Sequence, residues 1–152
     1  MVRNLLLGAL VVSGVYLSTK AYAQDNAEKV YTKKEKRAIK KRGIEAELLS
    51  NLKSIQTAEI VYDSNFDVFV SAEQYPATPN EKGHTWVKDE AGGFATMGWS
   101  PDGKVRGSYA VTISRVDFTV DFTVVGIGDI DGDGTLETYR ATKSTNPTTR
   151  VK

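Results

Sequence analysis

Three aspartates at alternate positions, Asp129, Asp131 and Asp133, stand among glycines in GIGDIDGDGTLETY, residues 126–139. Carboxylates spaced in this way converge when the chain curls, and a hard cation such as calcium takes roughly six to eight oxygen ligands. Counted as an EF-hand loop, the three aspartates fill the first, third and fifth positions, and Gly134 falls at the sixth, where the sharp turn needs glycine. Thr135 would then offer its carbonyl, and Glu137 falls at the ninth position. The twelfth holds Arg140 where a bidentate glutamate belongs, and the flanks read as strands, so a true EF-hand is excluded. Two alternatives remain. One is a D-x-D-x-D-G loop on another scaffold, with Asp129, Asp131, Asp133, Thr135 and Glu137 holding a structural Ca2+. The other is a plain hairpin bend, in which Asp-Gly steps make the turn and aspartates accept from their own backbone N–H groups. Three carboxylates this close repel one another unless something neutralises them.

Other chemistry is scarce. There is no cysteine, which excludes disulfides and thiolate metal sites, and the single histidine, His84, excludes a histidine-rich zinc site. His84 stands alone on a loop, and no G-x-S-x-G elbow, P-loop or G-x-G-x-x-G accompanies it, so no enzyme is expected. Trp86 and Trp99 read as core aromatics rather than ligand platforms. The formal net charge of +1 gives no global field that would attract nucleic acid.

The elements that must position the bend are legible in the periodicity. Residues 33–62 are free of proline and rich in helix formers, with Ile44, Leu48, Leu52, Ile55, Ala58 and Tyr62 on one stripe, widened by Leu49 and Val61. Thr32 is placed to cap this helix, and Glu47, Asn51, Lys53 and Ser54 fall on its other face. Residues 63–93 read as a long crossing loop pinned by Phe66, Phe69, Tyr75 and Trp86. Strands follow at 94–100, 105–113, 116–124 and 135–143, with a Pro-Asp-Gly turn at 101–104. Val116, Phe118, Val120, Phe122 and Val124 alternate with polar residues, and the change of parity after Ile113 predicts a turn or bulge at Ser114–Arg115. The tail after residue 143 reads as loose. The fold class is therefore α+β, a long N-terminal helix covering one face of a four-stranded antiparallel meander.

Upstream of the helix, residues 1–23 read as a cleaved secretory signal. A basic start is followed by the apolar run LLLGALVVSGVYL and by small residues in AYA before Gln24. The run is short for a membrane span, and no second one occurs, so the exported chain should be soluble and reside in the periplasm or at the cell surface. Residues 24–43 form a basic stem with eight basic and three acidic side chains, while residues 44–152, the globular domain, hold ten and sixteen. Lys33, Lys34, Lys36, Arg37, Lys40, Lys41 and Arg42 repel one another along the stem, which has little apolar surface of its own. It should fray unless it orders against a partner or another copy of the chain.

Three segments, SNLKSIQTAEIVYDSNFDVF, GGFATMGWSPDGKVRGSYAV and FTVVGIGDIDGDGTLETYRATKSTNP, resemble the globular half of bacterial type IV pilins, and the deltaproteobacterial kind most of all. The resemblance covers residues 44–148 and implies a pilin-like headgroup acting as a structural subunit of a filament. Type IV pilins begin with a short charged leader and an F-T-L-I-E-like apolar helix. Here an ordinary secretory signal and the basic stem stand in that place. In some of these bacteria the pilin is split into two chains, and this one is similar to the globular chain. The resemblance then implies non-covalent assembly with a short hydrophobic pilin helix chain. The seven cations of residues 33–42 would meet the C-terminal end of that helix, where carbonyls carry negative partial charge. Membrane contact would come only through that partner. A secreted calcium-dependent binding module outside any filament is the alternative.

Overall fold

A computed structural model describes residues 30–151, with side chains to residue 147. Residues 1–23, expected to be a signal segment, and the start of the stem lie outside the described residues. The main chain element is one helix, α1 (Lys33–Phe66), of 34 residues. It begins immediately after Thr32 and continues one turn beyond the expected end. Strand β1 (Ala72–Tyr75) follows, then a two-residue strand β2 (His84–Thr85), a 3₁₀ turn (Lys88–Glu90) and a short helix α2 (Gly93–Thr96). Strands β3 (Lys104–Val105), β4 (Ser108–Val116), β5 (Thr119–Gly128), β6 (Glu137–Thr142) and β7 (Thr148–Val151) complete the chain. Strands β4 to β7 form an antiparallel meander, and β1 adds a fifth strand on the outer side of β4.

The helix covers one face of this sheet, as its stripe requires. Ile44, Leu48, Leu52 and Ile55 are buried, and they meet Tyr109, Val111, Phe122, Val124, Tyr139 and Ala141, whose side chains share one face of β4, β5 and β6. Two glycines allow the close approach. A Cβ on Gly128 would come 2.9 Å from Leu48 Cδ1, and one on Gly126 would come 3.2 Å from Leu52. Ala58, Tyr62 and Leu49 pack partly against the core, whereas Val61 is 54% exposed. Along the last turns the buried face passes instead to Gln56 and Glu59.

The observed strands differ from the expected ones in four places. Residues 94–100 are not a strand. Gly93 lies so close to the Ser71 carbonyl that no Cβ would fit, Gly92 has φ 50°, and the chain coils into α2, turning Phe94, Met97 and Trp99 into the core. The turn at 101–104 survives, but β3 behind it pairs with β2. The break predicted at Ser114–Arg115 is absent: β4 runs unbroken to Val116, which pairs with Thr119. The reversal falls at Asp117–Phe118, with Asp117 at φ 52°, a conformation aspartate tolerates in two-residue hairpin loops. Val116 and Phe118 share the parity of Phe122 but project from the hairpin tip. Finally, the crossing loop contributes β1, and the tail contributes β7. The loop is pinned by Phe69 against Phe122 and by Tyr75 and Trp86 edge-to-face, while Phe66 is 64% exposed.

Candidate functional site

The aspartate bend connects β5 to β6. It forms where β5 has run out of partners and two glycines at positive φ, Gly132 and Gly134, reverse the chain. Asp129, Asp131 and Asp133 come together there, with carboxylate oxygens within 4.8 Å of one another. Glu137 does not join them. It is buried as the first residue of β6, opposite Gly128. The Asp129 carboxylate accepts from Gly132 N–H at 2.7 Å and Gly134 N–H at 3.0 Å, and Asp133 accepts from Thr135 N–H at 2.7 Å. Thr135 thus braces Asp133 through its backbone amide. That bond, with the Thr135 hydroxyl behind it, holds the Asp133 carboxyl below its usual range. Asp131 receives the Lys41 ammonium at 3.2 Å. Backbone amides and one lysine therefore already offset much of the mutual repulsion.

Lys41 belongs to the basic stem, which is helical over residues 33–43 rather than frayed. Of the seven cations in residues 33–42, Lys40 and Lys41 are the two that reach a carboxylate of the body among the described residues, Lys40 bonding Glu81. Lys33, Lys34, Lys36, Arg37 and Arg42 lie exposed along a helix whose first buried residue is Ile44. The eleven residues 33–43 project roughly 16 Å without touching the core. Such a short segment holds little helix on its own. Here it continues a helix that the sheet already fixes, and two of its lysines are pinned at the root.

The polar flank of α1 is engaged as well. Glu47 accepts from the Arg106 guanidinium at 2.7 Å, Asn51 donates to the Tyr109 hydroxyl at 2.8 Å, and Ser54 accepts from the Trp99 indole at 2.9 Å. Burial pushes the Tyr109 phenol well up from its ordinary value. Gln56 donates to the carbonyls of Thr142 and Thr145, and Lys53 bridges Gln56 and Asn146, so the helix also grips the β6–β7 turn.

Glu59 is the group that the sequence reading missed. It is fully buried, its Oε2 accepts from Val70 N–H at 3.1 Å, and its Oε1 has no partner. Burial, with Asp63 one turn away, raises its carboxyl to about 7 against the Val70 hydrogen bond. The signal was present: Glu59 lies four residues after Ile55, on the continuation of the stripe.

No family model, curated protein or solved structure matches the chain.

What the arrangement can do chemically therefore rests on its residues alone. His84 is half-buried on β2 opposite Val105, its Nε2 enclosed without a hydrogen-bond partner, rather than exposed on a loop. Trp99 is buried and Trp86 packs against it, Phe94 and Tyr75, so both tryptophans belong to the core. A broad groove of about 670 Å³ beside α1 is lined by Ser54, Thr57, Met97 and Trp99 among others, with no carboxylate or imidazole. Among the described residues no helix is long and apolar enough to cross a membrane.

Proposed function

We propose that the chain is a structural subunit, the globular part of a type IV pilin or pseudopilin that assembles non-covalently with a short hydrophobic pilin helix chain into a filament. One observation carries this reading: a single long helix packs on an antiparallel sheet and then projects beyond it as a helical, cationic overhang. A projecting helix is a means of joining one body to another. The resemblance in residues 44–148 supports the same assignment. On this reading the protein is exported by residues 1–23 and acts in the periplasm or at the cell surface.

The test is native isolation of the chain through a C-terminal tag, with every co-purifying chain identified by mass spectrometry. The expected result is a stoichiometric short chain that begins with an apolar helix. Recovery of this protein alone would remove the split-pilin assignment.

The convergence of Asp129, Asp131 and Asp133 favours a second reading, a calcium-dependent binding module. A thermal melt tests whether the bend takes the cation on which that second reading depends. Calcium at about a hundred times its dissociation constant would add about 2.7 kcal/mol if the bend is a cation site. A bend held only by its own amides and Lys41 melts at the same temperature with calcium as with a chelator.

A further inference from the structure

We infer that the basic stem of one copy docks in an acidic cleft on the edge of a second copy, making a head-to-tail contact between globular chains. The inference rests on the filament-subunit reading for its setting, and it gives Lys33, Lys34, Lys36 and Arg37 to a second copy where the resemblance gives them to the partner helix. The cleft lies where β1 meets the 3₁₀ turn and the start of α2. It has a volume of about 280 Å³, room for a lysine or arginine side chain. Two carboxylates line it, Glu73 from β1 and Glu90 from the 3₁₀ turn, and its lining carries no cation. Glu90 is held in place by the Tyr75 hydroxyl, which donates to it at 3.2 Å.

The charge that would complete this cleft is on the stem. Lys33, Lys34, Lys36 and Arg37 are exposed cations on a helical projection, and Ile39 just after them is 49% exposed. The stem cannot reach the cleft of its own chain. Leu52 lies over Gly126, two residues along β5 from Val124, which pairs with Val111, the partner of Ala72 in β1. From Leu52 back to Arg37 the helix runs roughly 23 Å away from that level. The pairing is therefore between molecules. Because it joins two different surfaces, it does not close on itself as a two-fold dimer does, and it can propagate into a chain of copies.

The experiment is sedimentation velocity on the purified protein and two charge-reversed variants. One carries Lys36→Glu with Arg37→Glu, the other Glu73→Lys with Glu90→Lys. All four positions are exposed, and melting curves check that each variant remains folded. Wild type should self-associate at about 0.01 M salt and dissociate at about 1 M, where charges are screened within a few ångströms. Each variant alone should associate about tenfold more weakly. An equimolar mixture of the two should recover association, since each reversed surface now faces its complement. Wild type that stays monomeric at low salt, variants that associate as wild type does, or a mixture that shows no recovery would each overturn the inference. The short apolar chain is absent from this assay, so its outcome is independent of the co-purification result.

Discussion

Leu52→Ala lowers stability by about 3–5 kcal/mol, the upper part of the range for leucine truncation in a closed core. Leu52 has no exposed surface and lies against Gly126, where there is no side chain to move into the space left behind. The glycines that let the helix come close also prevent the sheet from relaxing toward a smaller residue. For a domain of this size the loss should appear as a fall of about 10–20 °C in melting temperature. A fall of a degree or two would mean that the helix does not seat on the sheet at this point.

The second large effect is a dependence of stability on pH that runs opposite to ordinary acid unfolding. The Glu59 carboxyl, raised to about 7 by burial, holds its proton more tightly in the folded than in the unfolded chain. Its contribution is therefore fully present below about 4.5 and is lost as pH rises through about 7, by up to an amount on the order of 3 kcal/mol. Urea midpoints for wild type should fall between pH 5 and pH 8. Glu59→Gln, neutral at every pH and still able to accept from Val70 N–H, should lose that slope and exceed wild type in stability at pH 8. The groups around it are already committed: Asp63 is paired with Lys143 at 3.1 Å, and Lys143 lies over the Phe69 ring. Equal slopes in the two proteins would place the titration elsewhere.

The same two residues mark how much of this molecule was legible in the sequence. Ile44, Leu48, Leu52 and Ile55 recur at helical spacing, and all four are core, because a stripe of that strength has one way to be buried. Past Ile55 the reading followed apolar residues to Ala58 and Tyr62, whereas the geometry kept its period and buried Glu59. Hydrophobicity and periodicity diverge wherever a polar residue occupies a core position, and composition then misleads. The hairpin shows a different limit. Val116 and Phe118 share the parity of Phe122, so alternation alone continues the strand through them, and only the tolerance of Asp117 for positive φ marks the turn. At residues 94–100 the decisive fact is the contact of Gly93 with the Ser71 carbonyl, a tertiary constraint with no local trace. In the site, the alternate aspartates foretold their own convergence, while the departure of Glu137 into β6 depended on where the strand begins. Glu73 from β1 and Glu90 from the 3₁₀ turn line one cleft, and no spacing announces that.

The match between α1 and β5 has a mechanical consequence. Leu48 to Leu52 advances the helix about 6 Å, and Gly128 to Gly126 steps back along the strand by nearly the same distance, so the two run side by side in opposite directions. Tension applied at the stem therefore pulls α1 lengthwise across the sheet. Leu48 and Leu52 are then loaded together, in shear, rather than peeled away one after another. A joint loaded in this way yields only when its contacts fail collectively, so α1 resists a pull along its axis better than a pull away from the sheet.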